Sequence, residues 1–73
     1  MDEGGYVKMV QDILDKLFAL PGVTAVRFGG GYYTYTGHPK HEKHSIPLAM
    51  IKQMNIAGYT IYVGESFVRF MRC

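Results

Sequence analysis

The sequence predicts an α+β domain: a small antiparallel sheet with two helices on one face, in the order α-β-β-β-α-β-β. Three observations predict it. Apolar residues recur at helical spacing over residues 5–20 and 47–57. Runs of β-branched and aromatic residues with two-residue alternation lie at 23–28, 32–36, 59–63 and 67–72. Glycine and proline punctuate the boundaries between them.

In the first helix Tyr6, Val10, Ile13, Leu14 and Leu17 form one stripe, widened by Met9 and Phe18. Lys8, Gln11, Asp12, Asp15 and Lys16 fill the other side. Asp2 and Glu3 precede it, where negative charge suits the helix dipole. Leu20-Pro21-Gly22 ends it, because proline disfavours helical geometry in the residue before it. The strand at 23–28 then places Val26 and Phe28 toward the core and Arg27 toward solvent. Gly29-Gly30-Gly31 reads as a turn or bulge, since it fits neither the dinucleotide fingerprint nor the P-loop.

Tyr32-Tyr33-Thr34-Tyr35-Thr36 is a strand by composition. Residues 37–43 read as a turn region, and His44-Ser45-Ile46 as a short third strand. Pro47 opens the second helix, with Ser45 or Ile46 at the cap and Leu48, Ile51 and Asn55 on one stripe. Gly58 stops it. Two final strands flank Gly64-Glu65-Ser66. One domain, residues 1–73, accounts for the whole chain. Met9, Met50, Met54 and Met71 read as core filler.

Composition narrows the function classes. The chain is 48% hydrophobic and 19% charged, which is globular and not disordered. Its single cysteine, Cys73, cannot staple a disulfide scaffold. The acidic N-terminus is unlike a signal peptide, and no apolar run spans a bilayer, so a cytoplasmic location is expected. Net charge is +2, but residues 1–22 carry −2 and residues 23–73 carry +4. The sheet part is the basic part, as a nucleic-acid or acidic-protein surface would require.

The stretch from Gly29 to His44 concentrates the chemistry. Tyr32, Tyr33 and Tyr35 precede His38, His41 and His44. Three imidazoles are potential zinc or nickel ligands. Pro39 interrupts them, however, and Glu42 is the only nearby carboxylate, so no metal and no cofactor is expected. Tyrosine faces stack on unpaired bases or peptide side chains, and strand pleating sends about half of them inward. A basic-aromatic binding surface is expected from Arg27, Tyr32, Tyr33, Tyr35, His38, Lys40, His41, Lys43, His44, Arg69 and Arg72. No pair of residues stands out as a catalytic acid and base.

The segments Val26-Arg27-Phe28-Gly29-Gly30-Gly31-Tyr32-Tyr33-Thr34-Tyr35 and Ser45-Ile46-Pro47-Leu48-Ala49-Met50-Ile51-Lys52-Gln53 resemble the HicA toxins. The resemblance covers about residues 6–57 and implies a double-stranded-RNA-binding-domain-like α-β-β-β-α fold that acts on mRNA. The family's pattern places a catalytic histidine after a glycine at the start of the second strand, and the matching residue here is Tyr32. Residues 59–72 lie outside that pattern. In size and character the chain is also similar to small phage-encoded regulators. The leading expectation is thus a non-enzymatic regulator that binds host transcription or nucleic-acid machinery, such as RNA polymerase, and inhibits or redirects it. The alternative is a HicA-like RNA- or DNA-binding domain or ribonuclease toxin, with a loop histidine as its catalytic group.

Overall fold

The computed structural model describes residues 3–73, leaving aside the side chains of Glu3 and Pro39. The elements are α1 (Glu3–Phe18), β1 (Val26–Gly29), β2 (Tyr32–Tyr35), β3 (His38–Lys43), α2 (Leu48–Ile51), β4 (Tyr59–Val63) and β5 (Val68–Arg72). The five strands form one sheet in the order β3-β2-β1-β5-β4, with every neighbouring pair antiparallel. The expected element order and α+β class are those observed. No helix among the described residues is long and apolar enough to cross a membrane.

Both helical segments cover one face of the sheet. Val10, Leu14, Leu17 and Phe18 of α1 are buried against Val26 and Phe28 of β1, Tyr33 of β2, and Val68 and Phe70 of β5. The four-then-three spacing of Val10, Leu14 and Leu17 keeps them on one side of the helix. Tyr59 fastens β4 to this layer by donating its hydroxyl to Asp15 Oδ1 (2.7 Å). Burial, and then that bond, push the Tyr59 hydroxyl up to about 12, so it stays a donor. Arg72 donates to the Phe18 carbonyl (2.6 Å) and lies over the Phe18 ring, capping the C-terminal end of α1.

Turn chemistry sets the sheet register. Gly29 stands opposite Tyr32, which leaves Gly30-Gly31 as a two-residue loop with φ of 58° and 82°. Positive φ at both positions is the type I′ requirement, and its twist matches that of the flanking strands.

Several expectations need correction. Residues 38–43 are strand β3, not turn, and 44–46 lie outside it. β3 is an edge strand, where proline is tolerated because no outer neighbour needs its missing N–H. It is irregular: Tyr33 pairs with Glu42 and Tyr35 with His38, so two steps along β2 match four along β3. Pairing with β2 therefore overrides a composition that reads as loop.

The second helix is one turn, Leu48–Ile51, instead of residues 47–57, and Pro47 occupies its cap without a side-chain bond. After Ile51 the chain continues in tight turns, with Gln53 and Met54 N–H groups donating to the Met50 and Ile51 carbonyls. It then extends to bury Met54 and Ile56, while Asn55 faces solvent. α1 begins and ends two residues earlier than the sequence pattern placed it, which puts Glu3 inside the helix. Asp2 lies outside the described residues. Met54 is core, and Met9 and Met50 pack partly against it, but Met71 is exposed and is no core filler.

Candidate functional site

The helices leave the other face of the sheet open. Strand alternation decides what stands there. β1 turns Val26 and Phe28 to the helices and Arg27 outward. β5 does the same with Val68 and Phe70, leaving Arg69 exposed. Arg27 and Arg69 are direct cross-strand partners. Tyr62 of β4 stands opposite Arg69, and Phe67 immediately precedes β5.

These four side chains form a column. The Arg27 guanidinium lies 4.4 Å from the centre of the Phe67 ring, and that of Arg69 lies 5.0 Å from the centre of Tyr62. Tyr62 and Phe67 stack on each other, centroids 6.0 Å apart. Each cation is held on an aromatic face, with its N–H edge available to an acceptor. On the β2–β3 side, Tyr32 contacts His41 edge to face at 6.4 Å and stands opposite exposed Lys43. A shallow groove of ≈ 180 Å³ joins the two clusters, running from Tyr32 and His41 past Arg27 to Phe67.

Electrostatics set this face apart. Two arginines directly opposite each other repel, which ordinarily destabilises a sheet. No acidic residue occupies a strand position on the open face among the described residues: Glu42 stands opposite Tyr33 on the helix side, Glu65 is in the β4–β5 turn, and Asp12 and Asp15 are on α1.

The expected site residues therefore separate. Arg27, Tyr32, His41, Lys43 and Arg69 belong to the open face. The others are placed on the helix side. Tyr33 is buried and donates its hydroxyl to Glu42. Burial, the bond and the carboxylate's charge raise the Tyr33 hydroxyl pKa, while the same bond, helped by Lys40, lowers that of Glu42. Lys40 pairs with Glu42 at 3.4 Å. Tyr35 is half-buried against the core and packs on His38, whose Nε2 bonds the Pro21 carbonyl at 3.0 Å. Arg72 is engaged with Phe18.

His44 is buried between Phe28 and Tyr33, and its Nδ1 accepts the Ile46 N–H at 3.1 Å. That bond places the proton of the neutral ring on Nε2, which is buried without a partner. The three histidines thus make separate contacts, and no three potential metal ligands gather among the described residues. Sequence reasoning missed Phe67 and left Tyr62 out of the site. The signal was available, since Phe67 shares strand parity with Arg69, and Tyr62 falls across the hairpin from it.

His44 gives the fold an acid limit. Burial pushes its pKa below the ordinary 6.5. Its folded pKa is depressed, so the unfolded chain takes up the proton first. Stability is full above about 6.5 and falls as pH drops from there toward the lower folded value. The urea midpoint of the wild type should fall as pH is lowered from about 7.5 to about 5. In His44→Leu that slope should be smaller, and an unchanged slope would remove His44 from the account.

No family model, curated protein or solved structure matches the chain.

Proposed function

We propose that the protein is a non-enzymatic binding protein whose open sheet face takes up single-stranded nucleic acid. The observation that carries this reading is the Arg27–Arg69 pair, two facing cations held on aromatic rings and given no counter-charge by their own face. A polyphosphate backbone supplies the missing negative charge. Tyr32 and Tyr62, both about half exposed, provide ring surface for unpaired bases, and such stacking tolerates any sequence. The open face is a sheet surface that presents no helix to a duplex groove, so the single strand is the better ligand.

The test is fluorescence anisotropy with a labelled single strand and the matching duplex across a salt series. Three cations, Arg27, Arg69 and Lys43, give an expected log–log slope of about −2 for a single strand. The duplex should bind more weakly. Salt-independent binding, or none at low salt, would sink the proposal.

A second reading is a small regulator that docks on a protein of the host transcription machinery. It is favoured by exposed Tyr62, Val63 and Met71 along β4 and β5. Salt-insensitive capture of a discrete protein would favour it over the first.

A further inference from the structure

The sheet has two edges, and they are built differently. The β3 edge carries proline, three charged residues and an irregular register: His38-Pro39-Lys40-His41-Glu42-Lys43. Each of these features blocks strand addition. The β4 edge, Tyr59-Thr60-Ile61-Tyr62-Val63, has no charge, no proline and an unbroken register with β5. Tyr62 and Val63 are 54% and 48% exposed there.

The hydrogen-bond phase of β4 is determined. Gly64 N–H donates to the Phe67 carbonyl, and Cys73 N–H to that of Gly58, which fixes the bonded class of cross-strand pairs. Alternation puts Thr60 and Tyr62 in that class and turns the N–H and C=O groups of Tyr59, Ile61 and Val63 away from β5. The Tyr59 N–H is already bonded to the Ile56 carbonyl. Ile61 and Val63 therefore offer the complete outward donor–acceptor sets.

We infer that β4 pairs antiparallel with the β4 of a second copy of this chain, about a two-fold axis at Tyr62, to make one continuous ten-strand sheet. That register places Ile61 opposite Val63 of the other copy, and Val63 opposite its Ile61. All four outward groups of each chain are then bonded, and the two Tyr62 rings meet as a close non-bonded pair. A register centred on Ile61 is worse, because it calls on the occupied Tyr59 N–H. Self-pairing brings no like charges together along β4, whereas β3 would meet its own lysines. The two-fold closes the assembly at a dimer, since each copy's remaining edge is the blocked β3. The inference does not depend on the ligand proposed for the open face, but it places two arginine columns side by side on one surface.

Sedimentation equilibrium over a concentration series should show the mass rising from 8.2 kDa to twice that value. Two short edges bury little area, so the midpoint is expected on the order of micromolar. Amide hydrogen exchange should show protection of Ile61 and Val63 that grows with concentration, with no such change at β3. Val63→Lys, at a half-exposed position, should weaken association at least tenfold and leave the monomer's far-UV spectrum unchanged. Should that variant fail to fold, the exchange pattern of the wild type decides alone. A monomer at all concentrations with freely exchanging Ile61 and Val63 amides overturns the inference. So does a dimer protected elsewhere, or protection gained only when an extended peptide of another protein is added.

Discussion

Phe28→Ala is expected to remove about 3–5 kcal/mol of stability, the range for deleting a fully buried aromatic side chain. A domain of 73 residues has roughly 4–11 kcal/mol in all, so the variant should lose a large share of its stability and unfold at markedly lower urea. The reason is local. Phe28 is fully buried on the central strand and contacts the rings of Tyr33, His44 and Phe70 at 5.4–5.7 Å. Removing it leaves a void where β1, β2 and β5 meet α1, and no single neighbour closes it. Urea denaturation followed by circular dichroism measures the loss. A change below about 1 kcal/mol would show that the core collapses around the site instead.

Arg69→Glu should separate binding from folding. It converts a repulsive cross-strand pair with Arg27 into an attractive one, and it gives up the contact with the Tyr62 ring. Each effect is worth about 0.5–1 kcal/mol and they oppose. Stability should therefore stay within about 0.5 kcal/mol of the parent. Binding should not. Exchanging a cation for an anion lowers the expected salt slope by about 1.4 and the affinity for a single strand by more than tenfold at moderate salt. Anisotropy and thermal unfolding on the same sample decide it. Intact binding would move the site off this face, and unfolding would show that the charge pair is not tolerated at a loss but needed.

Much of the framework was legible because side-chain period carries it. Val10, Leu14 and Leu17 repeat on a helical stripe, and Val26, Phe28, Val68 and Phe70 alternate with arginines. Strand parity alone put Arg27 and Arg69 in solvent. What the sequence withheld were non-local choices. β3 is a strand because β2 offers it backbone partners, and nothing local to His38–Lys43 records that. The second helix stops after one turn because Met54 and Ile56 reach the core from an extended chain, and Asn55 in the supposed apolar stripe was the only local hint. The candidate site was half legible for the same reason. Parity distinguishes two faces of one strand, but the cross-sheet order that sets Phe67 beside Arg27 depends on β5 docking at β1. His44 read as the start of a short strand and as part of the exposed binding surface, and its burial goes with the Gly31–His44 backbone bond that draws it under the sheet.

The partner relation of β1 and β5 has a wider consequence. Val26 and Phe70 stand opposite each other although 44 positions separate them along the chain. The arginine column is therefore assembled from an early and a late segment, and it exists only while the closing hairpin is docked. Such a distant closure is slow relative to local turns. Undocking of the hairpin removes Phe67, Arg69 and Tyr62 from Arg27 in one event. Affinity for a polyanion would then serve as an assay of completed folding, and ligand would stabilise the closed sheet by mass action.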